Sequence, residues 1–266
     1  MPDEAKEKRE ARLFSTFGAC KTGLVCRKSF CPGFPFFIAC RATRQGSCSG
    51  TRPKGRDLRE LESTGSMDRM IICHTETMEK LTQRTAVCLG YFDGVHRGHL
   101  ALLKEAQAIA RREGLTVAVH TFDVPPASVL RPDQPVEQLT SPSEKAAIFA
   151  ANGCEILAVS VFDERMRAMP GKVFFEEILL GRLNAGAVIT GDDHRFGFRG
   201  DTGVKELSAL CQSAGVLLSV VPRVKLPDGT VISSSAIRQA LRQGDLSRAE
   251  EMLGRPVQDM RKSQER

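Results

Sequence analysis

The chain has 266 residues, and 41% of them are aliphatic, aromatic or Cys, which is enough for one sizeable core plus tails. Its net charge of +6 lies wholly in residues 1–66, which hold 13 Lys/Arg against 7 Asp/Glu, while the remainder holds 25 of each. A basic balance of that origin argues against nucleic-acid binding by the folded part, and no apolar run is long enough to cross a bilayer.

Residues 1–66 show no sustained periodicity and are rich in Arg, Lys, Gly, Ser, Cys and Phe. They are expected to be a disordered basic tail, or to lie upstream of a true start at Met67 or Met70, beside the first strand-like segment. The acids Asp3, Glu4 and Glu7 are unlike a secretory signal. The nine cysteines contain no C-x-x-C pair and are odd in number, which disfavours both a zinc ribbon and a disulfide framework. A reducing, cytoplasmic setting is the expectation, with no membrane or nucleic-acid partner.

From residue 70 strands and helices alternate. Thr85–Leu89 reads as a strand ending at Gly90, and Gly98–Glu113 as a helix with Leu103, Ala106 and Ala110 on one stripe and Gly114 as its stop. Leu115–Phe122 is the next strand. Ser141-Pro-Ser-Glu144 has the form of a capping box opening a helix to about Asn152. Strand Ile156–Val161, helix Pro170–Arg182, strand Ala187–Thr190, helix Thr202–Ala214 and strand Val216–Val221 follow, and two helices, Ser233–Gly244 and Ser247–Leu253, close the pattern. Such alternation predicts an α/β fold with a five-stranded parallel sheet and helices on both faces, occupying residues 70–257 between tails 1–69 and 258–266. Ligands of such sheets bind outside the carboxyl ends of the strands, so the loops after the strands carry the chemistry.

The first of these loops runs from Gly90 to His99 and joins strand directly to helix. Gly90 and Gly98 allow the backbone to approach a ligand, and His96 and His99 meet at a helix N-terminus, a place that suits an anion. An ordinary capping His, or a zinc pair lacking a third ligand, is the plainer alternative. The dinucleotide fingerprint and the P-loop are both absent, which disfavours hydride transfer and P-loop kinase chemistry. After the last strand, Ser233, Ser234 and Ser235 open a helix, with Arg238 about one turn on, a second candidate phosphate grip. The loop Thr190–Asp201 mixes Asp193, His194, Arg195 and Phe196 with three glycines, a composition suited to an aromatic ring with polar edges.

Three segments in this order resemble the FMN adenylyltransferase (FAD synthetase) module of bacterial bifunctional riboflavin kinase/FAD synthetases: Gly90-Tyr-Phe-Asp-Gly-Val-His-Arg-Gly-His99, Gly191-Asp-Asp-His-Arg-Phe-Gly197 and Ile232-Ser-Ser-Ser-Ala-Ile-Arg238. The resemblance covers about residues 84–257. It implies a Rossmann-like nucleotidyltransferase fold that moves AMP from ATP, carried with Mg²⁺, onto FMN. It implies His96, His99 and Arg238 as catalytic residues, and Gly90, Phe92, Asp93, Gly98, Ser233, Ser234 and Ser235 around ATP. Phe122, Asp123, Asp193, Arg195 and Phe196 are the implied flavin contacts, and no protein ligand of the metal is assigned.

The chain departs from the family pattern in three places. His194 stands where the family has Phe, Phe122-Asp123-Val124-Pro125-Pro126 stands where it often has Phe-x-Pro-His-Pro, and Ser235 replaces Thr. In bifunctional members Leu253-Gly254-Arg255-Pro256 would lead into a kinase barrel; ten residues follow here, so no riboflavin kinase activity is expected. Two other functions are compatible with these residues. One is nucleotidyl transfer to another small phosphate acceptor; the other is a non-catalytic flavin or nucleotide sensor.

Overall fold

The computed structural model describes residues 70–130, 133 and 136–257, and the expectations for residues 1–69 and 258–266 lie outside the described residues. Six strands form one sheet: β1 (Ile71–His74), β2 (Thr85–Leu89), β3 (Thr116–Phe122), β4 (Ile156–Ser160), β5 (Ala185–Gly191) and β6 (Leu217–Val221). Their order is β1-β4-β3-β2-β5-β6, and every neighbouring pair is parallel. The five expected strands are therefore joined by a sixth. β1 is a four-residue edge strand whose Ile71 and Ile72 are 57% and 51% exposed, so it lacks the continuous apolar run of the buried strands.

Eight α-helices and one short 3₁₀ helix (Phe198–Gly200) accompany the sheet among the described residues, the α-helices being α1 (Arg97–Glu113), α2 (Pro126–Leu130), α3 (Pro142–Ala151), α4 (Glu164–Ala168), α5 (Gly171–Val173, continuing as a π-helical stretch Phe174–Leu180), α6 (Val204–Ala214), α7 (Ser234–Arg242) and α8 (Leu246–Leu253). Their ends follow the residue chemistry. Gly114 and Gly215 take the left-handed conformation that closes α1 and α6, and Ser141 and Glu144 form the reciprocal capping box of α3. In the π-helical stretch the amide of Gly181 donates to the Glu176 carbonyl, five residues back, at 2.9 Å. The wider turn places Phe174, Phe175, Ile178 and Leu179 all in the core.

Alternation within the buried strands divides the core in two. Ala86 and Cys88 of β2 and Val117 and Val119 of β3 pack with Leu103, Ala106 and Ala110 of α1 and Phe149 of α3. Val87 and Leu89 face the other side and pack with Phe174, Phe175 and Leu179 of α5 and Leu207 of α6. A third cluster joins Ile237 of α7 and Met252 and Leu253 of α8 to Leu139, Leu226 and Ile232, and seats the C-terminal helices over the carboxyl edge of the sheet. The chain leaves β2 for β3 on one side and returns to β5 on the other. This strand order makes the gap beyond β2 and β5 the switch point, the place where ligands of such sheets bind.

Candidate active site

The loop after β2 is held in an unusual path. Phe92 and Val95 have φ of 59° and 36°, left-handed values that non-glycine residues seldom adopt, and Gly94 follows suit at 79°. Burial holds this path in place. Phe92 is 2% exposed and meets Phe149 edge-on at 5.3 Å, while Asp93 Oδ1 accepts from the amides of Leu139 (2.9 Å) and Thr140 (3.3 Å). The Nζ of Lys145, a buried residue of α3, donates to the Tyr91 carbonyl at 2.7 Å and lies 3.9 Å from the Tyr91 ring centroid. Arg255 closes the far side by donating to the carbonyls of Gly94 (2.6 Å) and Val95 (3.0 Å).

This path delivers the two imidazoles as a pair. His96 is the N-cap of α1, and its Nδ1 accepts from the His99 amide at 3.3 Å. The rings stack at 3.6 Å with 18° between their planes, and His99 meets Phe92 edge-on at 5.1 Å. Gly98 is required here because a Cβ would come within 3.0 Å of the His96 ring. Burial, with help from Arg255, pushes His96 down to about 4; burial, then His96, Lys145 and Arg255, holds His99 well below the usual histidine range. Both imidazoles are thus neutral near pH 7 in the free protein. His99 Nδ1 is buried with no partner among the described residues.

Opposite them stands the start of α7. Ser233 caps it by accepting from the Ala236 amide, Ser234 donates to the Asp93 carbonyl at 2.9 Å, and Ser235 is exposed. Arg238 forms a charge-assisted pair with Asp93 Oδ2 and donates from Nε to the Glu137 carbonyl at 2.7 Å. The guanidinium and the Ser234 hydroxyl therefore reach the first loop, but both already have protein partners there.

Three connected cavities occupy the carboxyl edge. One, of about 520 Å³, lies at the switch point between Gly90, Phe92, Asp93 and His99 on one side and Gly191, Ser234, Ser235 and Arg238 on the other. A second, of about 580 Å³, continues past His96 and Gly98 to Ser233, Pro222 and Arg223. The third, of about 690 Å³, opens on the other face and is walled by Phe122, Phe162, Phe174, Phe196 and Phe198. Ten of the expected nucleotide and catalytic positions (Gly90, Phe92, Asp93, His96, Gly98, His99, Ser233, Ser234, Ser235 and Arg238) thus line the first two cavities, and Phe122, Arg195 and Phe196 line the aromatic one.

Two expected flavin contacts stand elsewhere. Asp123 Oδ1 accepts from the amides of Val124 and Phe162 and lines none of the three cavities; it braces the loops after β3 and β4. Asp193 lines the two nucleotide-side cavities and lies 3.8 Å from Arg223, because the turn after Gly191 directs it to the α1 face. Four positions not assigned from the sequence join the site: Lys145, Arg255, His120 and His194. His120 is 2% exposed on the floor of the aromatic cavity, bonded at 2.8 Å to Ser160 and pushed down to about 3 by burial and by His194.

A model of the FAD synthetase family matches residues 78–236. The chain belongs to the FAD synthetase family. Among curated relatives, the bifunctional riboflavin kinase/FMN adenylyltransferase of Bacillus subtilis is 35% identical over 193 residues, covering 71% of this chain and 60% of that protein. The protein of the same description from Escherichia coli K12 is 35% identical over 171 residues, covering 63% and 53%. The chain thus spans little more than half the length of these relatives. A solved structure described as a macrolide-efflux protein from Streptococcus pneumoniae superposes with a TM-score of 0.63 at 27% identity, covering 71% of this chain and 61% of that one. The stretch matched by the FAD synthetase family ends at Ala236, inside α7, so Lys145, the His96–His99 pair and the serine cap lie within it while Arg238 and Arg255 lie just beyond. No helix among the described residues is long and apolar enough to cross a membrane.

Proposed function

We propose that this chain transfers AMP from ATP to FMN, giving FAD and pyrophosphate. The observation that carries the reading is a shared wall. The phosphate-side cavity bearing His99 and Arg238 and the aromatic cavity on the opposite face meet through Leu89, Gly90, Tyr91, Pro126 and His194. A flat apolar ring in one can therefore present a phosphate to a nucleotide in the other. Membership of the FAD synthetase family supports the flavin as that ring.

In this reading the triphosphate lies along the start of α1 and against α7, where the helix amides, the two imidazoles and the serine hydroxyls can donate to its oxygens. Arg238 exchanges part of its contact with Asp93 for phosphate. An oxygen of the acceptor phosphate forms the new bond to the α-phosphorus, and the bridge to the β-phosphate breaks, with its electron pair leaving on pyrophosphate. The acceptor's second pKa of about 6 leaves it largely dianionic at neutral pH, so no general base is required. Positioning of two anions and neutralisation of charge in the transition state are the protein's tasks.

Mg²⁺ fits this site as a passenger of the triphosphate. Among the described residues no group of three His, Cys, Asp or Glu is placed to hold an ion, and the Asp93 carboxylate is engaged by Arg238 and two amides. Its ligands would be mainly phosphate and water oxygens, and its contribution there is to lower the charge of the triphosphate.

The test is direct. The full chain is incubated with ATP, Mg²⁺ and FMN, and FAD and pyrophosphate are separated by chromatography. Equal amounts of both products are expected. AMP transfer only to a non-flavin phosphate ester, or flavin and ATP binding without pyrophosphate release, would overturn the reading.

A further inference from the structure

The wall shared by the two cavities contains five residues, and of these only His194 can carry positive charge. It follows β5 in a tight turn in which its amide donates to the Gly191 carbonyl at 3.3 Å. Its ring stacks on Phe196 at 5.8 Å, with 29° between planes, and Phe196 is tied by backbone hydrogen bonds to Thr202. The imidazole is thereby held at the boundary between the two cavities. Burial pushes it down to about 4, against the opposing pull of Asp193, so it is neutral in the free protein, and an incoming anion would favour its protonated form. The cations of the aromatic cavity, Arg167, Arg195 and Arg199, line that cavity alone and not the phosphate-side one; Arg167 is bonded to Glu164 and Arg195 to the Gly200 carbonyl.

We propose that His194 is a specificity residue that binds the acceptor's phosphate as it passes from the aromatic cavity into the phosphate-side cavity. It would thereby distinguish a phosphorylated ring-bearing acceptor from the same molecule without phosphate. This rests on the flavin reading above. The substitution of Phe by His relative to the family pattern then adds a hydrogen-bond donor where an apolar ring would only pack. Tyr91, the other polar side chain on the shared wall, has its ring held beneath Lys145 and serves as the control.

The test needs no ATP. Dissociation constants of FMN and riboflavin are measured by flavin fluorescence quenching for the wild-type chain and for His194→Phe, His194→Gln and Tyr91→Phe. One charge-assisted hydrogen bond corresponds to about tenfold or more in affinity. The wild-type chain is expected to prefer FMN by at least about tenfold, His194→Phe to lose that preference with riboflavin binding unchanged, and His194→Gln to keep part of it. Thermal unfolding and ATP affinity that match the wild type establish that His194→Phe is folded. Equal binding of FMN and riboflavin by the wild type, a preference that survives His194→Phe, a parallel loss of both ligands, or loss of the preference in Tyr91→Phe would each overturn the proposal. Absence of any flavin binding by the wild type would overturn the flavin reading itself, a result distinct from all of these.

Discussion

Asp93 and Arg238, 145 residues apart in the chain, form a buried ion pair that joins the loop after β2 to helix α7 across the mouth of the phosphate-side cavity. The Asp93 carboxylate is 3% exposed and the Arg238 side chain 14%, so removing one partner strands a buried charge. Arg238→Ala is therefore expected to lower unfolding stability by about 3–5 kcal/mol as well as activity. The double variant Asp93→Asn/Arg238→Ala should recover much of that stability without recovering FAD formation. Urea unfolding and a product assay on all four members of the cycle separate the two roles. Recovery of turnover in the double variant would make Arg238 a strut and nothing more.

His99 presents a different balance. Its ring is fixed by stacking on His96 and by the edge contact with Phe92, but its Nδ1 bonds to nothing among the described residues. An imidazole prearranged on the wall of a phosphate cavity is worth about 10²–10³ in rate where it donates to developing charge. His99→Ala should lower kcat/KM for FAD formation by that order while the thermal midpoint falls by a few degrees only. Turnover close to wild type would take His99 out of the transition state.

Lys145 connects the packing of the first loop to pH. Burial lowers its ammonium from 10.5 to about 8, with the Asp93 carboxylate pulling the other way. The cation is the form present below that value, and it is lost as pH rises through it. The field behind the phosphate loop thus weakens on the alkaline side. For the free enzyme, kcat/KM for ATP should decline above about pH 8. Lys145→Arg keeps its charge at any working pH and should abolish this alkaline decline, even where its bulk lowers the plateau. Lys145→Met should show a low, flat profile over the same range. An unchanged alkaline limb in Lys145→Arg would assign the decline to another group.

Much of this architecture was legible in the sequence because it is written in short-range periodicity. β2 to β6, the helix α1 with its glycine stop and the capping box of α3 all depend on neighbours within a few residues, and each lies within about two residues of its expected limits. A strand-like segment is visible beside Met70, but β1 was left out of the five-strand count because an exposed four-residue edge strand is specified by its partner β4, 85 residues later, rather than by its own pattern. The site divides in the same way. The His96–His99 pair is local to a helix start, and the serine cap is local to another. Lys145 bonds to a carbonyl 54 residues away and Arg255 to one 160 residues away, and neither residue carries a local sign of that contact. Asp123 was placed beside the acceptor by resemblance alone, and Asp193 by resemblance together with the composition of its loop. The direction of each carboxylate is set by amides and by Arg223, which lie on other loops.

The wall of the aromatic cavity rests on one close backbone approach. Gly197 has φ of 81°, and a Cβ there would overlap the Gly171 amide and the Asp201 carboxylate, which are themselves joined at 3.1 Å. That contact seals the loop after β5, with Phe196 and Phe198, onto the start of α5, where Phe174 completes the wall. With ψ of −179° this is a positive-φ extended conformation that is essentially confined to glycine, so an alanine must bear its strain, of order ~1–3 kcal/mol, and also push α5 and the loop apart. The nucleotide-side cavities share neither Gly197 nor Phe174. Gly197→Ala should therefore raise the FMN dissociation constant by about tenfold or more and leave ATP affinity within about twofold, as read by flavin fluorescence and by calorimetry with ATP. If both affinities fell together, the two sides of the sheet would be mechanically coupled through this loop, and the division of labour between its faces would fail.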